Sequence, residues 1–518
     1  MPLDTHARRV AVQLTGRTSW SETRGPEAFA GRQPIELLGD LMFRAGTLMQ
    51  RELIRIERRP LKERVGLDPT RRFFTPQELL VNDGLREVAM EFQSRRATDA
   101  KARPSKDERA ALESQQSLSL FMSFVDQVPL ALVPSDDEFL SVSAAIASPG
   151  TEDVQHALRD LRSTWGSDSV GGDIASLASI VHESPAYTDT LRKTVELEVF
   201  YNDHNPWRWG AIASALSLLM LGMAWLTRWK ITYALAGLLI AWCVVEQTLG
   251  LGLRIAILDR APVSNTYEAL LWIGLVSIVV GLVAQAINRR SWYLAAAMGA
   301  STIALLFAML VPLSDQTNTL PAVLRSNYWL ILHVLTIVAS YGAFLLAAVL
   351  GHMYFIQKLI ARRRPAAGPS RLVVQVYRVM QLGLVLLTVG TILGGVWAAD
   401  SWGRFWGWDP KETWSLISII VYFALIHARY VGWLRDAGLA VSAIIGFLAI
   451  VWTFYGVNYV MASGLHSYGF GSGGEVYVGA WAIFEIVFVV GALLLTRDRS
   501  TPAGSLSNAS SIRHVVTT

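Results

Sequence analysis

The sequence predicts an all-α polytopic membrane protein with about nine transmembrane helices and an N-terminal, mostly helical extramembrane domain. Three observations predict this. The 518-residue chain is 52% hydrophobic, but residues 1–206 are charged, broken by Pro and Gly, and lack any apolar run long enough to cross a bilayer. After Pro206 long apolar stretches follow one another, most reaching the roughly 20 residues that a hydrocarbon core of about 30 Å requires. These stretches also lack the alternating polar pattern of barrel strands, and unsatisfied backbone groups are prohibitive in lipid, so helices are the expected form.

Taken in order, residues 1–206 form the extramembrane region. In it Arg95–Glu113 is a charged, exposed stretch, and Val128-Pro129, Val133-Pro134, Gly150 and Gly166–Gly172 are breaks. A mostly helical domain starting near residue 70 is expected, and Thr188–Val199 reads as a helix leading into the first span. The apolar runs lie at about 207–227, 231–253, 267–288, 291–313, 328–357, 380–399, 413–430, 438–460 and 477–496, and a tail covers 497–518. Arg228, Lys230, Arg289, Arg290, the cluster Lys358, Arg362, Arg363, Arg364, Arg371 and Arg378, then Arg429, Arg435, Arg497 and Arg499 fall on one side. Arg254, Arg260, Arg325, Arg404 and Lys411 fall on the other. The positive-inside bias makes the first side cytoplasmic, so residues 1–206 are expected outside and the tail inside. The basic clusters alternate with spans, which argues against nucleic-acid binding. Met1–Trp20 has no apolar core of the kind a signal peptide requires, so an external N-terminal domain implies either an upstream membrane-inserted part, the reading favoured, or an unusual route of translocation.

Between the sixth and seventh runs, Trp402-Gly-Arg-Phe-Trp-Gly-Trp-Asp-Pro-Lys-Glu-Thr-Trp414 places four tryptophans in thirteen positions. Two or three would serve as interfacial anchors; four, joined by glycines and stopped by a proline, read as a flat aromatic shelf for a planar, largely apolar ligand. Asp409 and Glu412 also suit helix caps, with Asp409 or Thr413 near the start of the following helix and Pro410 in its first turn. His333, near the start of the fifth span, and His466, in the loop after the eighth, lie at the same membrane level as this run. Neutral imidazole ligates iron well, and two imidazoles can hold a haem from opposite faces. Zinc is the rival metal, without a third ligand at short spacing. Each histidine taken singly is also readable as a packing residue, His352 most of all. His427 lies about 13 residues past Trp414, roughly 20 Å deeper at 1.5 Å per residue. The single cysteine, Cys243, excludes an internal disulfide or a Cys-X-X-Cys redox pair and reads as a small buried residue.

The tryptophan run resembles the haem-handling signature of the CcsA (ResC) family, the cytochrome c biogenesis proteins of the system II pathway. Leu249–Arg254 with Arg260–Glu268 is similar to the family's outer segment, and Asn327–His333 to its first external ligand region. Tyr455–Gly469 is similar to the second ligand region, and Tyr422–His427 to the span with a membrane-embedded histidine. The resemblance covers about residues 195–496. It implies that haem b passes from a site within the membrane to the external loop. There it is presented to an apocytochrome c carrying Cys-X-X-Cys-His, whose thiols add to the haem vinyl groups.

By position, the resemblance makes His333 and His466 the external axial ligands and His427 part of the transmembrane site, with Trp402, Trp406, Trp408, Asp409 and Trp414 lining the haem. It further implies a CcsB/ResB-like membrane partner, participation in a holocytochrome c synthase (haem lyase) complex, and residence in the bacterial cytoplasmic (inner) membrane with the tryptophan loop facing the periplasmic or external side. A system I haem-delivery or haem-lyase component, a haem exporter without attachment activity, and a purely structural assembly subunit are the alternatives.

Overall fold

The computed structural model describes residues 3–18, 20, 26, 29, 31–98, 104–126, 131–134, 139–141, 152–167, 169–184, 187–310, 327–361, 371–461 and 474–496. The chain divides into two compact units, Met1–Asn205 and Pro206–Thr518.

The first unit is helical from its beginning rather than from residue 70. Leu3–Thr15 repeats small and apolar residues at Ala7, Val10, Ala11 and Leu14, the spacing of one helical face, and buries them. It packs with Pro34–Leu48 and Lys106–Val125 around Leu37, Leu41, Phe74 and Phe121. Arg8 and Arg9 beside that stripe make the segment look polar on average, which hides the helix from a composition reading. Helices start at capping boxes at Thr75 with Glu78 and at Ser105 with Glu108. Among the described residues, sheet is confined to two antiparallel pairs, Ile54–Arg55 with Phe73–Phe74 and Ala131–Pro134 with Phe139–Ser141. Lys62 is buried and donates to the carbonyls of Pro69 and Arg71, and its burial pushes the ammonium pKa down. The last helix, Asp189–His204, is capped by Thr188 and ended by Asn205 in the left-handed region.

In the second unit, nine helices among the described residues are long and apolar enough to cross a membrane. In order they include Pro206–Thr227, Lys230–Leu258, Thr266–Asn288, Trp292–Leu310, Leu335–Ala361, Arg371–Trp402, Pro410–Tyr430, Asp436–Val451 and Glu475–Thr496. The fifth helix is the axis of the bundle, packing on the third, fourth, sixth, eighth and ninth. Its partner, the sixth, approaches through small residues. A Cβ on Gly383 would come within 2.7 Å of the Phe344 ring, and one on Gly390 within 2.9 Å of the Ile337 Cα. In a membrane, where no hydrophobic effect drives helices together, close packing of this kind supplies much of the attraction. The sixth helix begins nine residues before its apolar run, at Arg371, because Leu372, Val373 and Val376 give its first turns a buried stripe.

Two interruptions were not readable from periodicity. Residues Leu330–Val334, just before the fifth helix, form a π-helical turn, and Trp452–Met461 continue the eighth helix as a longer π segment. Such turns are rare in α-helices and recur at functional sites. Both lie at the end of the bundle that carries the tryptophan run.

Candidate functional site

His333 sits in the first π turn. Its Nδ1 lies 2.8 Å from the Gly390 carbonyl, and its ring meets Trp397 edge-on with centroids 5.7 Å apart. The sixth helix accommodates the imidazole because Gly394 has no side chain; a Cβ there would lie 2.6 Å from His333 Cε1. A carbonyl only accepts, so Nδ1 carries the hydrogen and the lone pair of the neutral ring is on Nε2. A histidine ligand commonly has its second nitrogen tied in this way. Trp397 is itself buried, in a small cluster with Ala261 and Val263. Just before the π turn, Trp329 Nε1 donates to Asp400 Oδ2 at 3.2 Å, joining that segment to the end of the sixth helix.

The tryptophan run turns from the sixth helix into the seventh and is held chiefly by its own polar residues. Asp409 is the N-cap of the seventh helix and accepts from Lys411 N at 3.0 Å. Glu412 Oε2 reaches back to the amides of Gly407 and Asp409 at 2.8 and 3.1 Å, closing a capping box with Pro410 in the first turn. Asp409 is buried, so the cap is the role its geometry supports. Phe405 lies on Gly395, where a Cβ would meet the ring at 2.6 Å. Trp408 is in the left-handed region at φ 57° and is 70% exposed, while Trp402, Trp406 and Trp414 are half-buried.

The shelf is not flat. Trp406 and Trp408 stand at 87° to one another with centroids 5.9 Å apart. Trp414 instead turns towards the eighth helix and tilts against Trp452 at 5.6 Å. Residue spacing alone carries no information on ring planes, and the left-handed backbone at Trp408 redirects the chain between the two rings.

Side chains bind this run to the second π segment. Lys411 Nζ donates to Asn458 Oδ1 at 2.8 Å, and Thr453 Oγ1 donates to the Trp414 carbonyl at 3.1 Å. Tyr459 Oη reaches Thr266 Oγ1 at 3.2 Å, which brings in the first turn of the third helix. The chain that leaves this π segment leads to His466, which lies outside the described residues. The structure therefore brings His333, Trp397 and the tryptophan run to one end of the bundle. Lys411, Asn458 and Trp397 were not singled out as working together, and their separation in sequence gave no signal.

The deeper histidines differ from each other. His427 is exposed on the seventh helix; its Nδ1 is 2.8 Å from the Phe423 carbonyl and its ring lies 4.1 Å from that of Phe423. By the argument used for His333, its lone pair is on Nε2. His352 has the same Nδ1 arrangement, 2.8 Å from the Ala348 carbonyl, but its Nε2 is 2.8 Å from Glu485 Oε2 of the ninth helix. One proton is shared across that second contact, and the nitrogen that would bind a metal is engaged. His352 is thus a packing residue with a partner. Cys243 is buried and donates to the Gly210 carbonyl at 3.4 Å, so it is small and internal but not solely apolar in its contacts. Among the described residues no group of three or more His, Cys, Asp or Glu side chains is arranged to hold a metal ion, so no zinc-type cluster is found there.

Residues 263–466 match a family model described as cytochrome C assembly protein. The chain is 37% identical to protein NrfI of Wolinella succinogenes over 266 residues, half of this chain but 28% of NrfI, so it spans little more than a quarter of that relative. It is 36% identical over 306 residues to the cytochrome c biogenesis protein CcsA of Synechococcus sp. (strain CC9311), covering 50% of this chain and 96% of that protein. The CcsA protein of Chlorella vulgaris is 30% identical over 263 residues, 43% of this chain and 82% of the relative. With nearly the whole of one relative covered at such identity, the chain belongs to the CcsA family of cytochrome c biogenesis proteins.

Proposed function

We propose that this chain handles haem in system II cytochrome c biogenesis, receiving it within the membrane and presenting it at the end of the bundle that carries the tryptophan run. In this reading haem is the cargo. His333 and His466 are its axial ligands at the presentation site, and Trp402, Trp406, Trp408 and Trp414 supply apolar contact around the ring. The observation that carries the reading is His333: a tied Nδ1, a lone pair on Nε2, and a glycine cut into the neighbouring helix to admit the ring. A metal-ligating imidazole commonly has its second nitrogen tied in this way.

The acceptor is an apocytochrome c with a Cys-X-X-Cys-His segment. Each of its thiols adds across a haem vinyl group, forming a C–S bond at one carbon while the thiol hydrogen goes to the other. That addition needs little acid–base machinery from the protein, so positioning carries most of the catalysis. The acceptor's histidine then replaces one protein ligand, which releases the product. Asp409, as a cap, supports the loop rather than the cargo.

His427 belongs to a second haem site deeper in the membrane. Its exposure, beside exposed Ile420 and Phe423 on the same helix, favours a site completed by another polypeptide. A CcsB/ResB-like membrane protein is the partner proposed. The tryptophan run faces the periplasmic or external side of a bacterial cytoplasmic membrane, following the distribution of lysine and arginine.

The test is spectroscopic. Protein purified with its partner from haem-replete cells should carry b-type haem with a six-coordinate reduced spectrum. His333→Ala should lose one axial ligand and regain it with added imidazole. Protein without haem absorption under those conditions would overturn the reading, and copurification of a small soluble haem chaperone in place of a ResB-like protein would move it to system I.

A further inference from the structure

Near the presentation site lies a buried charged cluster in the connection between the second and third helices. Arg254, at the end of the second helix, and Glu268, in the first turn of the third, form an ion pair at 2.6 Å with their side chains 2% and 0% exposed. Arg260 approaches the second carboxylate oxygen at 3.3 Å. Ser264 gives that same oxygen both its amide, at 2.9 Å, and its hydroxyl, at 2.8 Å, while Arg260 also donates to the Ser264 hydroxyl. Asn265 caps the helix by accepting from the Glu268 amide.

The short connection between the two helices is thus gathered onto one carboxylate. Two of its residues, Ala261 and Val263, are the buried neighbours of Trp397, the ring that stands edge-on to His333. Trp272, one turn further along the third helix, donates to the Leu335 carbonyl at 3.1 Å, just after the histidine's π turn. Removing a carboxylate and two guanidinium groups from water is costly, and well-packed apolar residues would usually fold at least as well. What the charges supply is direction: a loop that apolar contacts alone would leave free to shift is held by bonds of fixed length and angle.

We propose that Glu268 is a positioning residue. By gathering Arg254, Arg260 and Ser264 it holds Ala261 and Val263 as a fixed wall behind Trp397, and Trp397 in turn sets the orientation of the His333 imidazole. The proposal rests on the reading of His333 as an axial ligand, and the experiment separates the two.

Cys243 is the only cysteine in the chain, so Val263→Cys in a Cys243→Ala background gives one reporter thiol on the wall. In detergent, with the partner present, its maleimide labelling should be slow, since Val263 is buried. Adding Glu268→Gln should raise the labelling rate on the order of tenfold as the loop opens locally. The same change without the reporter should shift the haem spectrum towards that of His333→Ala, with imidazole restoring it. Arg254→Lys, which keeps the charge, should retain most of the protection. Where Glu268→Gln does not accumulate, Ser264→Ala removes one bond from the same carboxylate, and a smaller rise in labelling with a smaller spectral shift is expected. Labelling unchanged in both Glu268→Gln and Ser264→Ala would refute the wall. Labelling raised with an unaltered haem spectrum would refute its link to His333. A spectrum unaltered in His333→Ala would remove the ligand reading and overturn the proposal at that step, while the labelling ratio would still report whether Glu268 holds the loop.

Discussion

Gly394→Ala is the smallest change that should reach the His333 imidazole. The new Cβ would stand 2.6 Å from Cε1 and 3.0 Å from Nδ1, where ordinary contact begins at 3.4 Å, so the ring must retreat by about 0.8 Å. It cannot do so and keep its 2.8 Å bond to the Gly390 carbonyl, which comes from the same helix four residues earlier. Overpacking of this size costs about 1–3 kcal/mol, and the lost bond about 1 kcal/mol more. The neighbouring Gly395→Ala is the control. Its Cβ would meet Phe405 at the same 2.6 Å, but Phe405 is 49% exposed and can swing aside. Thermal unfolding in detergent should therefore show a lower midpoint for Gly394→Ala and little change for Gly395→Ala. Haem spectra with and without imidazole should show an axial ligand weakened only in the first. Equal stability and equal spectra in the two variants would refute the claim that the glycine makes room for the ring.

Three further outcomes are expected. His352→Ala should destabilise the bundle by about 3 kcal/mol, because it leaves Glu485, only 5% exposed, without its partner, whereas the exposed His427→Ala should leave unfolding unchanged and lower haem content. Lys411→Met should release the tryptophan run from Asn458 and speed proteolysis within Trp402–Trp414, and Asn458→Ala should do the same; protection unchanged in both would contradict the tie. In the N-terminal unit, the hydrogen bond from the Arg71 guanidinium holds Glu78 below the usual carboxylate range. A depressed carboxylate pKa contributes stability above its unfolded value and loses it as pH falls through the folded one, so the unit should become more sensitive to protease below about pH 4.5, and Glu78→Gln should flatten that dependence.

What the sequence made legible follows from the solvent. Lipid offers the backbone no partners, so the apolar runs had to be helices, and their order was readable from length alone. The cap at Asp409 was readable because Asp-Pro with Glu412 three residues after Asp409 is a local pattern. The same physics explains what was missed. His352 and Glu485 lie 133 positions apart, and only the packing of the fifth helix on the ninth shows that this histidine is paired with a carboxylate. The π turn at His333 leaves no periodic mark in five residues. In the N-terminal unit the helix at Leu3–Thr15 is hard to read because its buried stripe is short and Arg8 and Arg9 stand beside it.

The π turn at Leu330–Val334 also bears on how the setting of His333 can change over evolutionary time. Such a turn is equivalent to a single residue inserted into an α-helix. Deleting one residue there would restore ordinary winding and rotate everything before it by about 100°, the angle of one helical position, while the body of the fifth helix kept its register. Trp329 would then swing away from Asp400, and the imidazole would leave the notch at Gly394. The phase of the His333 backbone relative to the bundle core is therefore set by an insertion, before any side chain orients the ring, so a one-codon length change would redirect the histidine with the core residues unaltered.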